Sequence, residues 1–250
     1  MNLLEEWINP IYLNKDYIED LKQTVKSKPE IKYLVLDNFF NVNKIDKFIE
    51  EYDKITFDEK QDQYSPDGNH LPYDSALKWM DSSDYGYNFL TSTDWFKYLL
   101  NLFCITLNSG CWPEIKLRKH RADANGFWVH SDSCVRDLVF ICYFNKNWKV
   151  EDGGMLQLWR IDECNCPNTL KANAELDKKM DCLNNVRINA ITGGLNCPKD
   201  GHDLTLVDQI LPIYNRVFIC DLTANPTLHS VTPSNSRERF GFVEWLHNSQ

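Results

Sequence analysis

The chain has 250 residues, 43% hydrophobic and 13% aromatic, which suits one substantial domain or two small ones and excludes a disordered polypeptide. Its formal net charge of -9 counts against a nucleic-acid partner, which needs clustered Lys and Arg, and leans mildly toward neutral or cationic substrates. No run reaches the ~18 apolar residues of a membrane span, and the first twenty residues lack a signal-peptide core. Nine cysteines without an export signal suit free thiols, so a cytoplasmic protein without membrane association is expected.

In chain order, residues 14–29 read as a helix closed by Pro29, with Leu21 and Val25 at helical spacing. A strand is expected over 31–40, then an amphipathic helix over 41–54. Residues 57–76 are polar and carry Pro66, Gly68 and Pro72, which predicts a long loop and a candidate lid. A buried helix over 92–107 would back a sheet. From about 113 short apolar segments recur at 115–119, 126–130, 138–144, 154–161, 204–207, 216–221, 227–232 and 239–246. Turn residues separate them, as in a β-sandwich or jelly roll. Residues 162–203 fit no strand pattern and read as an insertion.

The sharpest chemical signal is His130-Ser131-Asp132, with His229 about a hundred residues later. Residues two apart on a strand share a face, so His130 and Asp132 can grip one ion. A third ligand from a distant strand makes a facial set of two imidazoles and one carboxylate. Such a set suits Fe(II) and leaves room for a chelating co-substrate and O₂. Alone, an H-x-D triplet arises often by chance, and a hydrogen-bonded polar couple is the simpler account; His229 alone is equally compatible with a satisfied interior histidine. Ten residues after His229 comes Arg239, whose planar fork can hold the far carboxylate of a dicarboxylate. Arg237 competes for that role, but Arg239 shares its strand face with positions 241, 243 and 245. Arg237 is then a solvated or substrate-facing charge. Tyr143 falls on a strand, where a plain core aromatic is the alternative, and Trp245 suits core and cavity wall equally.

Four ordered motifs make a resemblance specific: HSD at 130–132, YFNKNW at 143–148, GGMLQL at 153–158 and HSVTP at 229–233, followed by Arg239 and Trp245. The stretch from about 113 to 247 resembles the 2-oxoglutarate/Fe(II) oxygenase superfamily, in its prolyl-4-hydroxylase-like branch. Residues 33–52 are similar to the strand–helix that opens these enzymes. The resemblance implies His130, Asp132 and His229 as iron ligands, and Arg239 and Tyr143 on the distal carboxylate of 2-oxoglutarate. It places His120 near the co-substrate and Trp245 beside the iron. Asp132 stands where related halogenases carry a small residue, which favours hydroxylation; desaturation and ring formation stay open.

The expected fold is therefore α+β: a double-stranded β-helix with N-terminal supporting helices and an insertion around 162–203. Residues 1–112 are the support region and 113–250 the oxygenase core of one integrated domain. The expected enzyme is a dioxygenase that uses Fe(II), 2-oxoglutarate and O₂ to hydroxylate an unactivated C–H bond, releasing succinate and CO₂. Its partner would be an amino acid, a peptide or a related natural-product intermediate. A prolyl hydroxylase acting on a protein and a non-catalytic jelly-roll binding module are the alternatives. Cys164, Cys166, Cys182 and Cys197 all lie in the insertion, but C-x-C with two distant singles is poor spacing for zinc.

Overall fold

The structure is a computed structural model, and it describes residues 2–57, 75–124, 126–130, 136–164, 202–223 and 227–248. Five helices come first or early: α1 (Leu3–Trp7), α2 (Lys15–Ser27), α3 (Val42–Tyr52), α4 (Tyr87–Leu90) and α5 (Thr93–Leu102). Among them lie two strands, β1 (Tyr33–Leu36) and β2 (Ser75–Trp79). The remaining strands are β3 (Trp112–His120), β4 (Phe127–His130), β5 (Leu138–Tyr143), β6 (Leu156–Cys164), β7 (His202–Ile210), β8 (Arg216–Asp221), β9 (Leu228–Val231) and β10 (Arg239–His247).

The described strands form two antiparallel sheets: β1-β8-β5-β10-β3-β2 and β4-β9-β6-β7. Period-2 alternation divides the side chains of the larger sheet between two cores. Leu138, Phe140 and Cys142 of β5 join Ile115, Leu117, Val217, Ile219, Phe242 and Leu246 against the helices. The alternate positions Val139, Tyr143, Phe218, Cys220, Val243 and Trp245 meet Leu156, Leu158 and Ile210 of the smaller sheet. The second cluster is the interior of a β-sandwich, with a layer of helices packed on the outside of one sheet.

The helices follow ordinary local signals. Asn14 caps α2 by accepting from the N–H groups of Asp16 and Tyr17 at 3.0 and 3.1 Å, and Ser92 caps α5 through Trp95 N–H at 3.3 Å. Leu21 and Val25 form the buried face of α2, as their spacing predicts. The helix expected over 92–107 is shorter and ends at Leu102, beyond which Cys104 takes a positive φ of 57°, a conformation that stops helix propagation. The strand expected over 31–40 shortens to four residues, because Asn38 takes a φ of 52° and turns the chain.

Three elements differ from the sequence expectation more substantially. Ser75–Trp79, whose first two residues belonged to the expected loop, forms the edge strand β2 in register with β3. The helix α1 and a 3₁₀ turn at Pro10–Leu13 precede the first expected helix. The insertion is narrower than 162–203, because β6 runs on to Cys164 and β7 begins at His202, and the two pair with each other. The body of the candidate lid, 58–74, lies outside the described residues, as do Cys166, Cys182 and Cys197.

Candidate active site

β4 and β9 are neighbours in the smaller sheet, and His130 and His229 are Cα partners in their ladder. The register between Phe127 and His130 is irregular, and the preceding Gly126 has a φ of +80°. A Cβ at Gly126 would stand 2.1 Å from the Val231 carbonyl oxygen, so only glycine lets β4 approach β9 this closely. Two histidines a hundred residues apart in sequence are thereby opposite one another. His229 Nδ1 lies 3.1 Å from the Thr227 carbonyl oxygen. A carbonyl can only accept, so Nδ1 is the donor in this contact, which fixes the orientation of the ring. Asp132 lies outside the described residues.

Across the sandwich, Arg239 opens β10 as the Cα partner of His120 on β3. Arg239 is 6% exposed, Tyr143 1% and His120 4%, so a guanidinium, a phenol and an imidazole share a dry interior. The Arg239 guanidinium carbon stands 5.2 Å from the Tyr143 ring centroid. Neither Arg239 Nε nor the Tyr143 hydroxyl has a hydrogen-bond partner among the described residues. Burial raises the Tyr143 pKa, opposed by Arg239. Burial also pushes Arg239 down from the ordinary guanidinium value, and Tyr143 opposes that. Burial first, then Arg239 and Arg118, hold His120 well below the usual imidazole range, so His120 is neutral at physiological pH. Its ring meets Phe127 of β4 edge-on at 5.3 Å, which sets this part of the large sheet against the strand that ends in His130. A buried cation and a hydroxyl, both with donors unused, fit a carboxylate.

Arg239 is held in place by the sequence motifs around it. Gly153 and Gly154 both have positive φ, and the Gly154 N–H donates to Pro233 O at 2.9 Å. A Cβ at Gly154 would stand 2.9 Å from Arg239 Cδ, so the glycine leaves room for the arginine stem. Asn145 accepts from Phe240 N–H at 2.7 Å and donates to Phe240 O at 3.2 Å, fixing β10 immediately after Arg239. Trp148 Nε1 donates to Gly153 O at 2.9 Å. Arg237, the competing arginine, donates to the carbonyls of Lys146 and Asn147 at 2.9 Å each and lies 5.4 Å from the Trp148 ring. It braces this turn from an exposed position.

Trp245 sits two steps along the inner face of β10 beyond Val243 and belongs to the sandwich core. Residues that sequence reasoning missed surround it: Lys116, Arg118 and Arg136. Their signal was the alternation Lys116, Arg118, His120, which puts three polar side chains on one face of β3 while Ile115 and Leu117 face the helices.

A family model described as the 2OG-Fe(II) oxygenase superfamily matches residues 118–185. The match covers 68 of the 250 residues, and it is this stretch that is similar to the superfamily. No curated protein matches the chain. Among solved structures, a prolyl-4-hydroxylase from Pseudomonas putida matches with a TM-score of 0.56 and 13% identity, covering 93% of this chain and 100% of the other. A Trichoplax adhaerens prolyl hydroxylase, in complex with a hypoxia inducible factor peptide fragment, gives 0.54 and 14%, covering 96% and 92%. The non-heme alpha ketoglutarate dependent epimerase SnoN from nogalamycin biosynthesis gives 0.58 and 11%, covering 94% and 84%. At such identities the likeness is one of fold, and the chain shares with these proteins the expected jelly-roll arrangement of helices and antiparallel sheets.

Proposed function

We propose that the protein is an Fe(II)- and 2-oxoglutarate-dependent oxygenase that hydroxylates an unactivated C–H bond of an amino acid, peptide or related natural-product substrate, within one integrated domain. His130, Asp132 and His229 hold the iron in this reading, and Arg239 with Tyr143 holds the distal carboxylate of 2-oxoglutarate. The observation that carries it is the pair of unused donors on Arg239 and Tyr143, fully buried beside neutral His120. A buried guanidinium without an anion is costly, and a dicarboxylate anchored there supplies the compensating charge. Arg239 orients the co-substrate with its planar fork, and the Tyr143 hydroxyl adds one donor. His120, kept neutral, adds no further positive charge and lines the cavity. The proton on His229 Nδ1, held by the Thr227 carbonyl, aims Nε2 at the metal. Trp245 closes one wall and excludes water. With iron and both co-substrates bound, the balanced chemistry is R–H + 2-oxoglutarate + O₂ → R–OH + succinate + CO₂.

An anaerobic optical titration tests this: apo-protein with Fe(II), then 2-oxoglutarate, beside Arg239→Ala. A charge-transfer band that needs both additions is expected, with 2-oxoglutarate affinity falling by at least ~100-fold in the variant, as for a lost bidentate contact to a buried charge (about 3 kcal/mol). No band at saturating additions overturns the assignment.

A further inference from the structure

Beyond the co-substrate cavity, three cations gather around one indole. Trp245 is 4% exposed. The Arg136 guanidinium carbon lies 4.0 Å from its ring centroid, Lys116 Nζ 5.6 Å and the Arg118 guanidinium carbon 5.9 Å. Arg118 also reaches within 5.4 Å of the Phe127 ring on β4, so it spans the gap between the sheets three residues from His130. Lys116 Nζ stands 4.4 Å from the ring of Trp79, which is 51% exposed on the edge strand β2. The inward positions of β3 thus form a graded row: His120 buried beside Arg239, Arg118 and Lys116 half-buried, and Trp79 at the surface.

The placement runs against the composition of the chain. A protein of net charge -9 gathers Lys116, Arg118 and Arg136 around one indole, and Arg239 opens the same strand six residues before that indole. Glu114 accepts from Arg136 Nε and Nη2 at 3.0 Å each, which holds that guanidinium over Trp245. Like charges this close raise each other's energy, the more so where water is scarce. Arg239 is accounted for by 2-oxoglutarate. A guanidinium presents five N–H donors and an ammonium three, so Lys116 and Arg118 can each engage a ligand in addition to protein groups.

We propose that Lys116 and Arg118, flanked by Trp79 and Trp245, form a substrate subsite for a carboxylate, so that the oxygenase acts on an anionic substrate that carries a free carboxyl group. The inference rests on the reading of Arg239 and the two histidines as the oxygenase site. It reverses the bias toward neutral or cationic substrates suggested by net charge, because local field, not total charge, governs what a cleft attracts. The indole rings give the substrate's apolar body a flat wall, and the two cations fix the carboxylate end.

The test uses the full chain, loaded anaerobically with Fe(II) and saturated with 2-oxoglutarate so that Arg239 is already occupied. N-acetyl-phenylalanine and its primary amide, alike except for the charge, are the probes, and equilibrium dialysis measures their retention. The carboxylate is expected to bind about 10-fold more tightly than the amide, with a preference that shrinks as salt is added. Lys116→Gln with Arg118→Gln should abolish the preference while leaving 2-oxoglutarate affinity within about 2-fold, since neither residue is assigned to that site. Lys116→Gln alone, at a half-buried position, repeats the test should the double variant fail to fold. Equal retention of the two probes, retention of neither, or a preference unchanged by the substitutions overturns the proposal. Failure of the wild-type protein to bind 2-oxoglutarate is a separate result, which removes the oxygenase-site reading and this inference with it.

Discussion

On the proposed assignment, Tyr143 weakens the resting fold and serves the loaded one. Its hydroxyl is buried without a hydrogen-bond partner among the described residues, a condition that costs a protein about 1–3 kcal/mol. Tyr143→Phe keeps the ring against Leu156 and Val243 and removes the unsatisfied group. The apo-protein should therefore gain about 1 kcal/mol of stability in denaturant titration. Affinity for 2-oxoglutarate should fall by about 5- to 10-fold, measured by the charge-transfer band, because one donor to the carboxylate is lost. An apo-protein that is destabilised instead would mean that the hydroxyl is already engaged within the fold. At this scale sequence was informative about Arg239, Tyr143 and His120, since ordered motifs name positions. It was uninformative about Arg118 and Lys116, whose importance comes from three strands converging on Trp245.

The elements reveal why the signature spacing takes the form it does. Asn145, Trp148, Gly153 and Gly154 belong to the turn between β5 and β6, and Pro233 and Arg237 to the turn between β9 and β10. The two turns lock together through Gly154 N–H to Pro233 O and through Ser236 Oγ to Asp152 Oδ1 at 2.7 Å. Arg239 emerges directly from that junction. Gly154→Ala puts a methyl 2.9 Å from Arg239 Cδ at a φ of +64°, so both backbone strain and crowding result. The expected outcome is a rise of about 10-fold in KM for 2-oxoglutarate, with KM for the prime substrate nearly unchanged, and a loss of about 1 kcal/mol in stability. Equal rises in both constants would point to general distortion instead. Strand existence was legible here because alternation and turn residues are local signals. The edge strand β2 was not, since five residues following a polar stretch gain their order from pairing with β3.

For the molecule as a whole, the two cores titrate differently. The inter-sheet core holds the cations, whereas the helix-facing core holds an acid: Glu244, fully buried, accepts from Trp95 Nε1 at 3.1 and 3.0 Å through its two oxygens. Burial pushes its carboxyl up to about 8, against the weaker opposing effect of the Trp95 hydrogen bond. The unfolded chain releases that proton near pH ~4.3. Between these values the folded state holds a proton that the unfolded state does not, so stability falls as pH rises from about 4.3 to about 8 and levels off above. The slope approaches ~1 kcal/mol per pH unit. Glu244→Gln keeps an acceptor for Trp95 and should flatten this dependence in melting curves recorded from pH 5 to 8. An unchanged slope would assign the effect to other groups. Sequence indicated a jelly roll with helical support, because the strand pattern and motifs are dense after residue 113. It could not divide the inward from the outward charges, because Glu244 and Arg239 lie on one strand and only the sheet's two faces separate them.

The outermost described strand of the large sheet has a consequence for how the chain reaches its structure. β1 pairs with β8 through Tyr33↔Cys220 and Leu36↔Val217, and Asn215 accepts from Phe40 N–H at 2.9 Å and donates to its carbonyl at 2.8 Å. β1 therefore leaves the ribosome some 180 residues before β8, the strand it pairs with. Contact order is high by construction, which makes for slow folding with a long interval in which an unpaired edge is exposed. During synthesis, the apolar faces of β1 and the helices before it emerge ahead of the strands they pack on, so chaperone dependence in the cell is set by sheet topology more than by final stability.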